Sequence, residues 1–327
     1  MRTSCLMTLV VKYLLVLFLL TGCVSEEKQY QGFIFGTYYN IKITDSLNSN
    51  NLHSSIDSKL HEIDMLFSNY KNDSFLMKFN RKENQYMDTE FENLLNHSTE
   101  ICEFVGQHFN VFSGSLVNLW GFGPLKREDI PKAIEIEKAI PSGCSYDLNN
   151  HLDIDFSAIA KGYAVDEISE LLDDQNLNNY FIDIGGEILI KGKKKKNPWI
   201  ICIENPDINN SKPIECLSKK ENEKYMAIAT SGDYRNYFIF DNKRYSHTIN
   251  PKSGYPISNN LTSVSVALPG QFRHTGDADA LATALNVMGL KNGFDFALEN
   301  SIAALFVFKS GDEFSIRMTP SFKDIIH

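Results

Sequence analysis

Positive charge is scarce in this chain. Its 327 residues carry 32 Lys and Arg against 41 Asp and Glu, a formal net charge of −9. That balance argues against nucleic acid and against adhesion to an anionic membrane surface, so no nucleic-acid partner is expected. The dense basic run Lys193–Lys196 lies between two strand-like segments and reads as a solvated hairpin turn. An anionic ligand would have to be met by a metal or by local dipoles, not by a basic patch. Cysteine is sparse and unpatterned: none of the six falls in a CxxC pair or a zinc spacing, which excludes a zinc-ribbon reading. No internal repeat and no long linker interrupts the chain.

What is present begins with an N-terminal leader. Arg2 and Lys12 flank or precede the apolar run Tyr13–Leu20, which is too short to span a bilayer comfortably and ends in Leu20-Thr21-Gly22-Cys23. This is the pattern of a signal peptide over residues 1–22. The Cys after Thr-Gly resembles a bacterial lipobox, so Cys23 is expected to be lipidated, with residues 23–32 as the anchor and its polar tether. The expected location is the bacterial cell envelope, lipid-anchored to a membrane and facing the periplasm. Removing Arg2 and Lys12 takes the net charge from −9 to −11. Roughly 300 residues remain, enough for a sizeable core, and 43% hydrophobic with 22% charged residues marks them as globular. We assign 33–327 to one domain. Four cysteines lie within it: Cys102, Cys144, Cys202 and Cys216. An oxidising periplasm permits disulfides, and Cys202 and Cys216 could lie on neighbouring strands; buried free thiols fit equally well.

Periodicity gives the elements. Phe33–Ile43 alternates as a strand with a Gly-Thr break. Leu52, Ile56, Leu60, Ile63 and Phe67 fall at helical spacing, and a second helix is expected over Phe91–Val105. Lys126–Tyr146 reads as a loop with a short helix, Leu152–Phe156 as a short strand, and Lys161–Leu172 as a helix. Tyr180–Lys191 is strand, Gly185-Gly186, strand. Further strands are expected at Trp199–Glu204, Ala227–Thr230, Tyr237–Phe240 and Leu261–Leu268, then a helix at Ala278–Met288 and a hairpin of Ala303–Phe308 with Glu313–Met318. Strands come in runs instead of alternating with helices. The fold class is therefore α+β, with mixed, largely antiparallel sheets and packed helices.

Three stretches carry chemistry. In the first, Asp153 to Tyr163, a strand ends in a carboxylate, small residues follow and Lys161-Gly162 opens a helix, a junction that suits close approach of phosphate but lacks P-loop glycine spacing. In the second, Ala229–Arg235 and Tyr245–Gly254, hydroxyls and His247 cluster around a Pro-turn-Gly. In the third, Asp279 and Thr283 lie four apart on one helical face and offer two hard oxygens, a set for Mg²⁺ or Ca²⁺ and not for zinc. Two protein oxygens cannot close a coordination sphere, so a carbonyl, waters and a substrate phosphate are expected to complete it. Asp277 reads as an acid at the helix start.

In order, DFSAIAKGYAVD, FIDIGGEILIKG, AIATSGDYRNY, SHTINPKSGYPI and DADALATAL resemble the ApbE family of FAD:protein FMN transferases. FGTYYNI near residue 35, FSNYKNDSFLMKFN at 67–80 and FNVFSGSLVNLWGFGP at 109–124 agree, so the resemblance runs from about Phe33 to the C-terminus. It implies a Mg²⁺-dependent enzyme, with Mn²⁺ as the alternative ion. Such an enzyme splits FAD, attaches FMN through a phosphoester to a Thr or Ser hydroxyl of a target flavoprotein such as a redox-pump subunit, and releases AMP. Carried onto this chain, the metal ligands are Asp279, Thr283 and the carbonyl of Ala158. FAD contacts fall on Phe35, Tyr70, His108, Phe109, Asn110, Asp155, Lys161, Ile249 and Ala282, and His247 is the catalytic residue that helps deprotonate the acceptor hydroxyl. The chain departs from the family pattern at Asn250, where many members have Asp, and in the inserted GQFRHTG before Asp277. An FAD diphosphatase and a non-catalytic flavin-binding lipoprotein are the rival readings.

Overall fold

The computed structural model describes residues 27–46, 51–84, 86–124, 127, 129–146, 152–207, 212–232, 237–240, 243–311 and 313–327. The expected signal peptide, Cys23 and all of Asp233–Arg235 lie outside them. Eight strands form one sheet: β1 (Lys28–Ile34), β2 (Thr37–Ile43), β3 (Tyr180–Ile184), β4 (Glu187–Lys191), β5 (Tyr225–Gly232), β6 (Leu261–Gly270), β7 (Ala303–Ser310) and β8 (Glu313–Met318). Their order across the sheet is their order in the chain, and every neighbouring pair is antiparallel. The α+β expectation holds.

The sheet is covered on both faces, which explains why its central strands read as unbroken apolar runs. Tyr225, Ala227 and Ala229 of β5 enter the main core, whereas Met226 and Ile228 enter a second core on the opposite face. The main core is closed by four helices: α1 (Leu52–Phe67), α2 (Thr89–Phe104), α3 (Ala160–Asp174) and α4 (Thr275–Glu299). Leu52, Ile56, Leu60, Ile63 and Phe67 are the buried stripe of α1, as their spacing predicts. The second core gathers Trp199, the ribbon of Ile201–Ile203 with Glu215–Leu217, and Phe322 near the C-terminus. Among the described residues, no helix is long and apolar enough to cross a membrane.

Two expectations are corrected. Leu152–Phe156 joins no sheet; its backbone is held instead by Asn80, whose side chain bonds both Ile154 N and Ile154 O, and by Val111 O, which accepts from Asp155 N at 2.7 Å. Helix α4 begins at Thr275, three residues earlier than expected, because Asp166 on α3 accepts from Thr275 N and Gly276 N at 3.0 Å each and caps it from a distance. It passes Met288 across a break at Gly289 (φ 79°) and continues to Glu299. The basic run does form an exposed turn, with Lys193–Lys194 paired to Asn197–Pro198.

Both cysteine pairs are disulfides, which resolves the alternatives left open above. Cys202 and Cys216 are directly paired cross-strand residues. Cys102 on α2 joins Cys144, 42 residues on. Closing a loop of that length removes enough unfolded-chain entropy that replacing both cysteines by serine is expected to cost roughly 4 kcal/mol. A denaturant titration comparing the double variant with the parent chain measures this as a lowered midpoint.

Candidate active site

A cleft of about 1230 Å³ opens at the end of the sheet where the β3–β4 turn lies. The turn is Gly185-Gly186, with φ of 67° and 105°, angles that side-chain-bearing residues rarely adopt. It brings Asp183 and Glu187 to the cleft wall from consecutive strands.

The opposite wall is the meeting point of α3 and α4. Ser157 N donates to Asp155 Oδ1 at 2.7 Å, a local turn that delivers the chain into α3. A side chain at Gly162 would lie 2.2 Å from Thr275 O, so glycine is required for the two helix starts to approach. Asp279, 5% exposed, then accepts from Gly162 N at 3.2 Å. Lys161 Nζ stands 3.5 Å from Asp279 Oδ2 and 3.4 Å from Glu187 Oε1. Burial alone would lower the Lys161 ammonium, but the two carboxylates outweigh it and hold it raised. Burial pushes the Glu187 carboxyl up, against the attraction of Lys161 and with Asp279 reinforcing the rise. Two buried carboxyl groups thus share one ammonium, and a further cation would relieve them.

Eleven of the thirteen cleft residues expected from sequence converge here: Tyr70, His108, Phe109, Asn110, Asp155, Ala158, Lys161, His247, Ile249, Asp279 and Thr283. Tyr70 is exposed and donates to Phe122 O at 3.0 Å. Asn110 is held by Phe112 N and Gly143 O, and His108 Nδ1 lies 2.8 Å from Val105 O. His247 packs edge-on to Phe122, with ring centroids 6.4 Å apart. Phe35 and Ala282 are not in the lining. Phe35 (φ 52°) sits in the β1–β2 turn and packs on the main core; three residues further on, the Tyr38 carbonyl accepts from Gly185 N. Ala282 is fully buried on the core side of α4.

Asn250 orders the turn that follows it: its Oδ1 accepts from Lys252 N and Ser253 N. The inserted segment is pinned, with Arg273 donating to Asp173 at 3.0 Å.

Asp277 lies in the first turn of α4 but does not cap it. Its carboxylate bridges His97 Nε2 at 2.5 Å and His274 Nδ1 at 2.6 Å. Burial would raise Asp277, but the two histidines outweigh it and push it down to about 2. Its hydrogen bond raises both histidines above 6.5. Asp277 therefore stabilises the fold above its unfolded value of 3.8 and loses that contribution as pH falls toward 2. The histidines contribute below 6.5 and lose it as pH rises through their raised values. Asp277→Asn is expected to lower the melting midpoint most between those two limits. A melting series across pH measures it.

Glu187 was missed from sequence. Its signal was an acidic residue directly after Gly-Gly in an otherwise apolar strand. Among the described residues no cluster of three His, Cys, Asp or Glu forms a ready metal site. The donor set of one carboxylate, one hydroxyl and one carbonyl in a cleft with excess negative charge fits a hard divalent cation shared with waters and phosphate.

Comparison with known proteins gives a consistent answer. The ApbE family model matches residues 35–306. A curated relative from Vibrio cholerae serotype O1, named FAD:protein FMN transferase, is 36% identical over 95% of this chain and 96% of its own. A relative of the same name from Haemophilus influenzae is 32% identical over 94% of each. Among solved structures, the flavin transferase ApbE from Vibrio cholerae has a TM-score of 0.78 at 35% identity, covering 92% of this chain and 99% of that one. The apo flavinyl transferase ApbE from Pseudomonas stutzeri has a TM-score of 0.80 at 32% identity, covering 92% and 96%. On the matched span and on relatives of this similarity, the chain belongs to the ApbE family.

Proposed function

We propose that this enzyme transfers FMN from FAD to a Thr or Ser hydroxyl of a target flavoprotein, through a phosphoester bond, and releases AMP. The observation that carries the reading is the junction of α3 and α4, where Lys161, Asp279 and Thr283 face one cleft. The N-terminus of α3 and the Lys161 ammonium meet the diphosphate, and the apolar and aromatic wall of Phe109, Tyr70 and Ile249 holds the rings. Bound at Asp279, Thr283 and the Ala158 carbonyl, Mg²⁺ would neutralise diphosphate charge and orient the reacting phosphoryl group.

His247 takes the proton of the acceptor hydroxyl as its oxygen bonds to the FMN-side phosphorus. The bond from that phosphorus to the bridging oxygen breaks, and AMP departs with the oxygen. A hydroxyl is a poor nucleophile near neutral pH, and histidine titrates in the range a general base needs. Cys23 supplies the lipid anchor at the envelope, facing the periplasm, where the acceptor, such as a redox-pump subunit, would be met.

Chromatography of the nucleotide products tests this reading. AMP is expected only when FAD, Mg²⁺ and an acceptor are all present, and EDTA is expected to stop its release. Release of free FMN with AMP at an unchanged rate without acceptor would support a diphosphatase instead. Tight FAD binding with no AMP would support a flavin carrier.

A further inference from the structure

Glu187 is 3% exposed and is the first residue of β4, immediately after the glycine turn on the cleft wall. Its Oε1 stands 3.4 Å from Lys161 Nζ. Its Oε2 is buried and has no hydrogen-bond partner. A buried carboxyl oxygen left without a donor is costly, and such an atom on a residue that lines a binding cleft calls for a donor brought by the ligand.

We propose that Glu187 is a positioning residue of the metal–phosphate site. One oxygen holds Lys161 beside Asp279, and the other accepts a hydrogen bond from a water in the coordination shell of the divalent cation. The inference rests on the reading of Asp279, Thr283 and Ala158 as the ligands. Three protein oxygens leave about half of an octahedral shell to waters and phosphate. Those waters are polarised donors that need acceptors, and acceptors of this kind fix both the shell and its geometry. Direct ligation by Glu187 is disfavoured by Lys161, which lies within 3.5 Å of both carboxyl groups. A cation touching both would sit against the ammonium.

The test uses the purified full chain, with Mn²⁺ as probe and free Mn²⁺ read by electron paramagnetic resonance. Glu187→Gln, which is isosteric, is expected to weaken Mn²⁺ binding by about 10–100-fold. FAD affinity measured in EDTA and the melting midpoint should fall far less than Mn²⁺ affinity, because Lys161 keeps Asp279 as a partner. Glu187→Asp, which withdraws the carboxyl by one carbon, is expected to show the same loss. Unchanged Mn²⁺ affinity in both variants would overturn the proposal, as would a fall in metal-free FAD affinity and melting midpoint that accounts for the whole effect. Asp279→Ala separates this proposal from the reading beneath it. If that variant loses Mn²⁺ and the Glu187 variants do not, only the role of Glu187 fails. If Asp279→Ala binds Mn²⁺ normally, the metal reading fails and takes the role of Glu187 with it.

Discussion

Asp279→Ala is expected to abolish FMN transfer while leaving a folded protein. Asp279 is almost fully buried at the start of α4, where it accepts from Gly162 N and faces Lys161. Removing it takes away the only carboxylate among the three proposed metal ligands. Charge stabilisation by a bound metal is worth several kcal/mol at a reacting phosphoryl group, so its loss should lower the rate on the order of a thousandfold or more. Breaking a buried ion pair usually costs stability as well, but Lys161 retains Glu187 as a partner. The cap that fixes α4 comes from Asp166 and is untouched. Acceptor labelling and thermal melting measured on one preparation separate the two effects. Near-normal transfer would remove Asp279 from the chemistry, and an unfolded variant would assign it a structural role.

His247→Ala is expected to lower the transfer rate by about 10²–10⁴, the usual contribution of a positioned general base. The residue follows the ribbon of Tyr237–Phe240 with Lys243–Ser246 and reaches the cleft beside Phe122. FAD affinity should stay near the parent value, because diphosphate binding is assigned to Lys161 and the α3 N-terminus. The pH–rate profile should lose its rise on the acid side, where the base of the parent chain is protonated and idle. A weakened FAD affinity with an unchanged pH profile would make His247 a binding residue instead.

Much of this architecture was legible because it is local. The stripe from Leu52 to Phe67, the hairpin through Gly185-Gly186 and the placement of Asp279 and Thr283 one turn apart all follow from short-range spacing. What escaped depends on contacts between distant segments. The start of α4 is set by Asp166, more than a hundred residues earlier. Asp277 looks like a cap in its own segment, yet its partners include His97 on α2. Leu152–Phe156 has strand composition but spends its backbone bonds on Asn80 and Val111. Glu187 has the same letter as any surface glutamate, and only the fold shows it buried against Lys161. The cysteine pairing also waited for the structure, since spacing alone fits free thiols as well as bridges.

The most direct test of the account is the intact mass of an acceptor flavoprotein after incubation with this protein, FAD and Mg²⁺. The account predicts one FMN added per acceptor through a phosphoester, AMP released in equal amount, and neither product when the acceptor Thr or Ser is replaced by Ala. An unmodified acceptor, with AMP and free FMN formed at the same rate whether or not it is present, would contradict it.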